Sequence, residues 1–167
     1  MDDPAAVQSR ISAVAAALAT SAGVPVEAVE LRVAGSLAHL GVVARLMSPV
    51  VASAAISGEL AAVSLGQVWW QPQLGGPFPL SLPTESDSVS LSGLSSWLMD
   101  GPVGALVEAF ADAALVSREL LWGNVASVLI GALGQLDSAG LTKQGVERVR
   151  FEVLATRLLL NKIAATP

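Results

Sequence analysis

A mostly α-helical domain with one small antiparallel β-hairpin is the fold class that this sequence predicts, on three observations. Apolar residues recur at three- and four-residue spacing over most of the chain. The extended runs lie together around a proline- and glycine-rich turn. The chain has 167 residues, enough for a single domain over 1–167 with a real core.

The elements follow in order. Pro4 to Thr20 is alanine-rich with Val7, Ile11, Val14 and Leu18 on one face, and Gly23 and Pro25 close it. Val26 to Met47 reads as a second helix that stops before Ser48-Pro49, because the residue ahead of proline disfavours helical geometry. Ala34, Ala38, Gly41 and Arg45 make a small-residue groove along it, with a guanidinium at its end. Pro49 starts a further helix through Ile56, ended by Ser57-Gly58. Residues 67–82 predict the hairpin: Gln67–Gln71 and Phe78–Leu82 are the strands, Pro72–Pro77 is the turn, and Pro79 sits on an edge. Residues 83–96 are rich in serine and acid and predict a flexible surface loop.

Pro102 opens another helix to about Val116, with Asp100 as its N-cap. Arg118 to Gly134 follows, either capped by Ser117 or continuous through a kink. Leu121, Val125, Val128, Leu129 and Ala132 fill one side of it, and Gly123, Ser127, Gly131 and Gly134 much of the other. That pattern predicts a central helix buried all round, whose small face admits another backbone. Asp137 to Gly140 turns, Thr142 caps, and Lys143 to Lys162 is the last helix. Its apolar residues occupy two sides: Val146, Val149, Val153 and Leu160 on one, Phe151, Leu154 and Leu158 on the other, so the second side calls for a cover.

Composition removes several function classes. The net charge is −5, and with no basic stripe to neutralise phosphates a nucleic-acid partner is not expected. Hydrophobic residues make up 53% and charged residues 14%, at a mean hydropathy of +0.62, so some apolar surface should meet a partner. The absence of cysteine leaves no disulfide, thiolate metal site or cysteine nucleophile. The acidic start Met1-Asp2-Asp3-Pro4 does not suit a secretory signal. The apolar run Leu120 to Leu136 is shorter than the roughly 20 residues of a membrane span. A cytoplasmic protein without a membrane span is the expectation.

Catalytic templates find little to use. His39 is the sole histidine, which excludes a histidine metal cluster, and no Gly-x-Ser-x-Gly elbow exists. It shares a polar stripe with Arg32 and Ser36, where it is either a half-exposed surface residue or a ligand contact. Glu108 and Asp112, one turn apart, read as a solvated face. Gly75-Gly76 is no phosphate loop, having no lysine and opening no helix. Arg45, emerging from small residues, needs a carboxylate or an anionic ligand. Trp69 and Trp70, adjacent on a strand, point to opposite faces, so that one can enter the core and the other face a cleft. Trp122 offers a third flat ring for a large ligand.

Three ordered stretches resemble the FhuF-like ferric iron reductase family in its actinobacterial form. They are Ala44-Arg45-Leu46-Met47-Ser48-Pro49-Val50, Trp69-Trp70-Gln71-Pro72-Gln73-Leu74-Gly75-Gly76-Pro77-Phe78-Pro79-Leu80, and Leu121-Trp122-Gly123-Asn124-Val125-Ala126-Ser127. The resemblance covers roughly residues 30 to 165. It implies a cytoplasmic helical protein that meets ferric siderophores and reduces their iron through a [2Fe–2S] cluster held by four C-terminal cysteines. None of those cysteines is present, so this chain has no ligands for that cofactor. It ends at Thr166-Pro167, about where the cysteine segment would begin, and reads either as a natural cluster-free relative or as a truncation.

The resulting expectation is a protein that binds a ferric siderophore or similar bulky polar ligand between the Arg45 helix, the hairpin and the helix of Asn124. Arg45 would meet anionic oxygen, Trp69 or Trp70 would stack, Asn124 would donate a hydrogen bond, and Trp122 and His39 complete the candidates. Two readings stand beside it. One is an enzyme recruited to secondary-metabolite biosynthesis that shapes a substrate in an apolar cavity. The other is an interaction module or half of a split reductase, covered by a second copy in a homodimer or by a separate redox partner.

Overall fold

The computed structural model describes residues 3–70, 80–81, 87–138, 140 and 143–164, with backbone alone at 70, 80, 137 and 158–164. Six α-helices and four short strands are found among them. Helix α1 (Pro4–Ala22) begins with the Asp3 carboxylate accepting from the Ala5 N–H at 2.9 Å and ends at Gly23 in the left-handed region (φ 66°). Side chain and backbone thus satisfy both ends, and Gly23 closes the helix where the sequence suggested. Val7 and Ile11 face inward and Val14 and Leu18 pack beside them.

Helix α2 (Leu31–Ser57) is the axis of the molecule, packed against α1, α4, α5, α6 and the first strand. It begins later than the sequence suggested, because Val26–Ala28 forms a separate 3₁₀ turn. It also continues through Pro49. Proline there lacks the N–H that would bond the Arg45 carbonyl. Ser48 Oγ donates to the neighbouring Ala44 carbonyl at 2.7 Å. Val42, Val43, Leu46 and Met47 before the proline and Val50, Val51, Ala54 and Ala55 after it are all buried. Continuous burial on both sides outweighs the roughly 3 kcal/mol of an internal proline.

Strand β1 (Glu59–Ala62) pairs antiparallel with β4 (Asp87–Ser90), Leu60 opposite Val89. Residues 87–96 are therefore strand, 3₁₀ turn and helix where a loop was expected; α3 (Leu94–Asp100) buries Leu94 and Leu98. The expected hairpin is present as β2 (Trp69–Trp70) against β3 (Leu80–Ser81), with Trp69 opposite Ser81. Its turn at 72–77, Pro79 and the Thr142 cap lie outside the described residues.

Pro102 opens α4 (Pro102–Ala114), but Gly101 occupies the N-cap and Asp100 is the last residue of α3. Helix α5 (Arg118–Ser138) is separate from α4, its Leu120 N–H donating to Ser117 Oγ at 3.3 Å. Its bulky side is buried as expected, with Leu121, Val125 and Leu129 fully inside. The small side is not: Gly123, Ser127, Gly131 and Gly134 all face out, and no atom lies within 4 Å of a Cβ built at any of the three glycines. Helix α5 is a wall against α2 rather than the centre. Helix α6 (Lys143–Ala164) buries Val146, Val149 and Val153 and leaves Phe151 and Leu154 exposed.

By length and composition α2 and α5 are each apolar enough to cross a bilayer, and 44% and 50% of those windows, respectively, is buried inside the fold. Splitting α2 at Pro49 is what hid the first of them from the sequence.

Candidate functional site

The residues singled out in the sequence occupy separate environments. His39 is inside, at 0% exposure. A turn of small neighbours on α2 lets the helix come close enough to α4 for the imidazole to meet Phe110 edge-on, with centroids 5.4 Å apart. Neither ring nitrogen has a hydrogen-bond partner among the described residues. Burial without compensation drives its pKa down to about 4 and keeps the ring neutral. The expectation of a half-exposed surface histidine is therefore corrected, since His39 is a core residue.

Asn124 reaches across from α5 to α2, where its Nδ2 donates to both the carbonyl and the hydroxyl of Ser36 at 3.1 Å. It ties two helices, so its amide N–H groups are spent within the protein. Trp122 is 9% exposed and belongs to the core, whereas Trp69 on β2 is 74% exposed. The side chain of Trp70 lies outside the described residues. Among His39, Trp69, Trp122 and Asn124, no hydrogen bond or ring contact links any two of the described side chains. Arg45 is half-buried on α2, and Ala34 and Ala38 of its expected groove are core residues. Burial first, and then the charge of Arg45, lower the pKa of Arg10 on α1, so two guanidinium groups lie near each other across the α1–α2 packing.

The structure does bring together a set that the sequence did not single out. Near its N-terminal end α2 presents Val33 and Leu37, both more than 40% exposed, toward the corner where α4 turns into α5. Between them runs a groove of about 600 Å³. Leu115, Val116 and Leu120 form its opposite side, and Arg32, Ser36 and Ser117 supply the polar groups. Leu115 ends α4 in the left-handed region (φ 54°, ψ 40°) and is 82% exposed. A branched side chain pays about 1 kcal/mol for that conformation, and strain of this kind concentrates at ligand clamps.

The corner is held from both sides. Arg118 forks onto Glu108, with Nε to the carboxylate oxygens at 2.9 Å and Nη2 to Oε2 at 2.6 Å, and Asp112 lies 3.6 Å away. Those hydrogen bonds lower the Glu108 pKa and raise that of Arg118. Glu108 and Asp112 are solvated, as expected, and serve to fasten the start of α5 to α4. On the α2 side Arg32 pairs with Glu30 at 2.6 Å on the surface, and Ser36, which lines the groove, is tied to Asn124 of α5. Periodicity could not have marked the groove, because Leu37 and Leu120 read as ordinary helix positions and nothing local announces a left-handed leucine.

Among the described residues no group of three histidine, cysteine, aspartate or glutamate side chains is placed to hold a metal. No family model, curated protein or solved structure matches this chain.

Proposed function

We propose that this chain is a small-molecule binding protein, related to the ferric-siderophore reductases but without their cluster, and that its ligand sits in the groove between α2 and the α4–α5 corner. The observation that carries this reading is the groove itself. Its volume of about 600 Å³ falls within the roughly 300–1,000 Å³ of ligand pockets, and like them it is mainly apolar with a few polar groups at defined points. Leu37, Leu115 and Leu120 would cover the ligand body, and the Arg32 guanidinium with the Ser36 and Ser117 hydroxyls would meet its oxygens. A bulky amphipathic chelate suits that division, and a ferric siderophore is the first candidate because of the family resemblance. The protein would act in the cytoplasm, and any electron would have to come from a separate redox partner, as the chain has no cysteine for a cluster.

Calorimetric titration with a trihydroxamate and a tricatecholate siderophore, each with and without Fe(III), tests the reading. One ferric complex should bind saturably at one site per chain. Leu37→Asp, at a position 43% exposed and so harmless to folding, should weaken binding by about tenfold or more by placing a charge against the ligand body. Silence across the panel removes the siderophore. Equal binding by the variant removes the groove.

A further inference from the structure

Helix α6 differs from the rest of the molecule in charge. The chain carries a net charge of −5, yet five of its nine lysines and arginines, Lys143, Arg148, Arg150, Arg157 and Lys162, fall on this one helix beside only two carboxylates, Glu147 and Glu152. Elsewhere the exposed arginines are neutralised within the chain, Arg32 by Glu30 and Arg118 by Glu108. On α6 Arg150 lies 3.5 Å from Glu147, while Lys143, Arg148 and Arg157 are exposed and make no ion pair among the described residues.

Those cations flank a face of mixed polarity that carries two exposed apolar residues. With Val146, Val149 and Val153 turned into the core, the opposite side of the helix presents Gln144, Glu147, Phe151 and Leu154 at spacings of three, four and three, the repeat that packs against a second helix. Phe151 is 71% and Leu154 43% exposed. At about 100° per residue Lys143, Arg150 and Arg157 run along one flank, and Arg148 with Glu152 one turn on along the other. Beside Phe151 an open cavity of about 500 Å³ extends toward Ser90, Ser92 and Gly58.

We infer that the outer face of α6 is the docking site for an acidic amphipathic helix of another protein, its apolar stripe on Phe151 and Leu154 and its carboxylates on the flanking cations. A second copy of α6 fits badly in the antiparallel orientation, which sets the flank of Lys143, Arg150 and Arg157 against itself. An anionic membrane fits less well, since a flat lipid surface would also meet the acidic remainder of the chain, whereas a single helix meets α6 alone. This inference is independent of the groove on α2, which lies on other elements.

The test uses the full chain and a fluorescein-labelled three-heptad peptide with leucine at the seam positions and glutamate at the flanks. The same peptide with lysine flanks, and vesicles containing about one-quarter phosphatidylserine, are the comparisons. The acidic peptide should bind saturably and weaken as salt rises through about 0.15 M, and the lysine peptide should not bind. Phe151→Asp, and separately the double variant Arg148→Glu with Arg157→Glu, should each reduce binding about tenfold or more with an unchanged helical circular dichroism spectrum. Failure of the acidic peptide to bind, equal binding of both peptides, indifference to both variants, preference for the vesicles, or a dimer in sedimentation that Phe151→Asp dissolves would each overturn the inference.

Discussion

Helices α2 and α5 look alike in sequence, both long, apolar and dotted with small residues, yet the fold treats their glycines in opposite ways. Gly35 of α2 is buried where α2 meets the end of α4, and a Cβ built there would collide with the Cβ of Ala114. Gly131 of α5 faces outward with nothing within 4 Å. A small residue on an apolar helix therefore marks a close crossing only when a second element lies opposite it. Composition alone does not say whether one does. The same distinction separates His39 from the surface: at the level of α2 that Gly35 brings against α4, the ring has nowhere to go but onto Phe110.

The largest expected effect comes from that histidine. Its pKa falls from the ordinary 6.5 to about 4 on folding, so the unfolded chain takes up a proton that the native one refuses. No contribution arises above pH 6.5. As pH falls through the window between the two values, stability is lost, approaching about 3 kcal/mol near pH 4. Urea unfolding across pH 4 to 7 should show this loss in the parent, and His39→Leu should remove it. Glu108, also acting in acid, remains in both proteins and cancels in the difference.

Gly35→Ala sharpens the comparison next. The added methyl forces α2 away from α4 and should cost about 1–3 kcal/mol, read as a lower urea midpoint. Asn124→Ala follows at about 1 kcal/mol, since it deletes the bonds to Ser36 that hold α5 on α2. Gly131→Ala is smallest and of opposite sign, a gain of about 0.5–1 kcal/mol from helix propensity in open space. A loss there would break the contrast between the two helices.

Much of the fold was legible because local signals agreed with it. Pro4 and Gly23 bound α1, Pro102 starts α4 and Ser117 caps α5, each through chemistry that acts within a few residues. The errors arose where distant contacts decide. Pro49 is a stop signal locally, and only the buried residues on both sides of it, met by other elements, carry α2 through. The serines and acids of 87–90 look like loop until β1 supplies their ladder partners. The site was less legible than the fold. Asn124 and Ser36 lie 88 residues apart, and the groove that Ser36 lines depends on a left-handed Leu115 that no periodicity reveals.

Hydrogen exchange of the full chain, with and without the ferric siderophore that binds in calorimetry, tests the placement of the ligand most directly. Protection confined to amides of residues 32–37 and 115–121 is the expected result. Protection instead around Arg45 and Trp69, with the α2 and α4–α5 segments unchanged, would contradict the groove and return the ligand to the residues that the sequence first suggested.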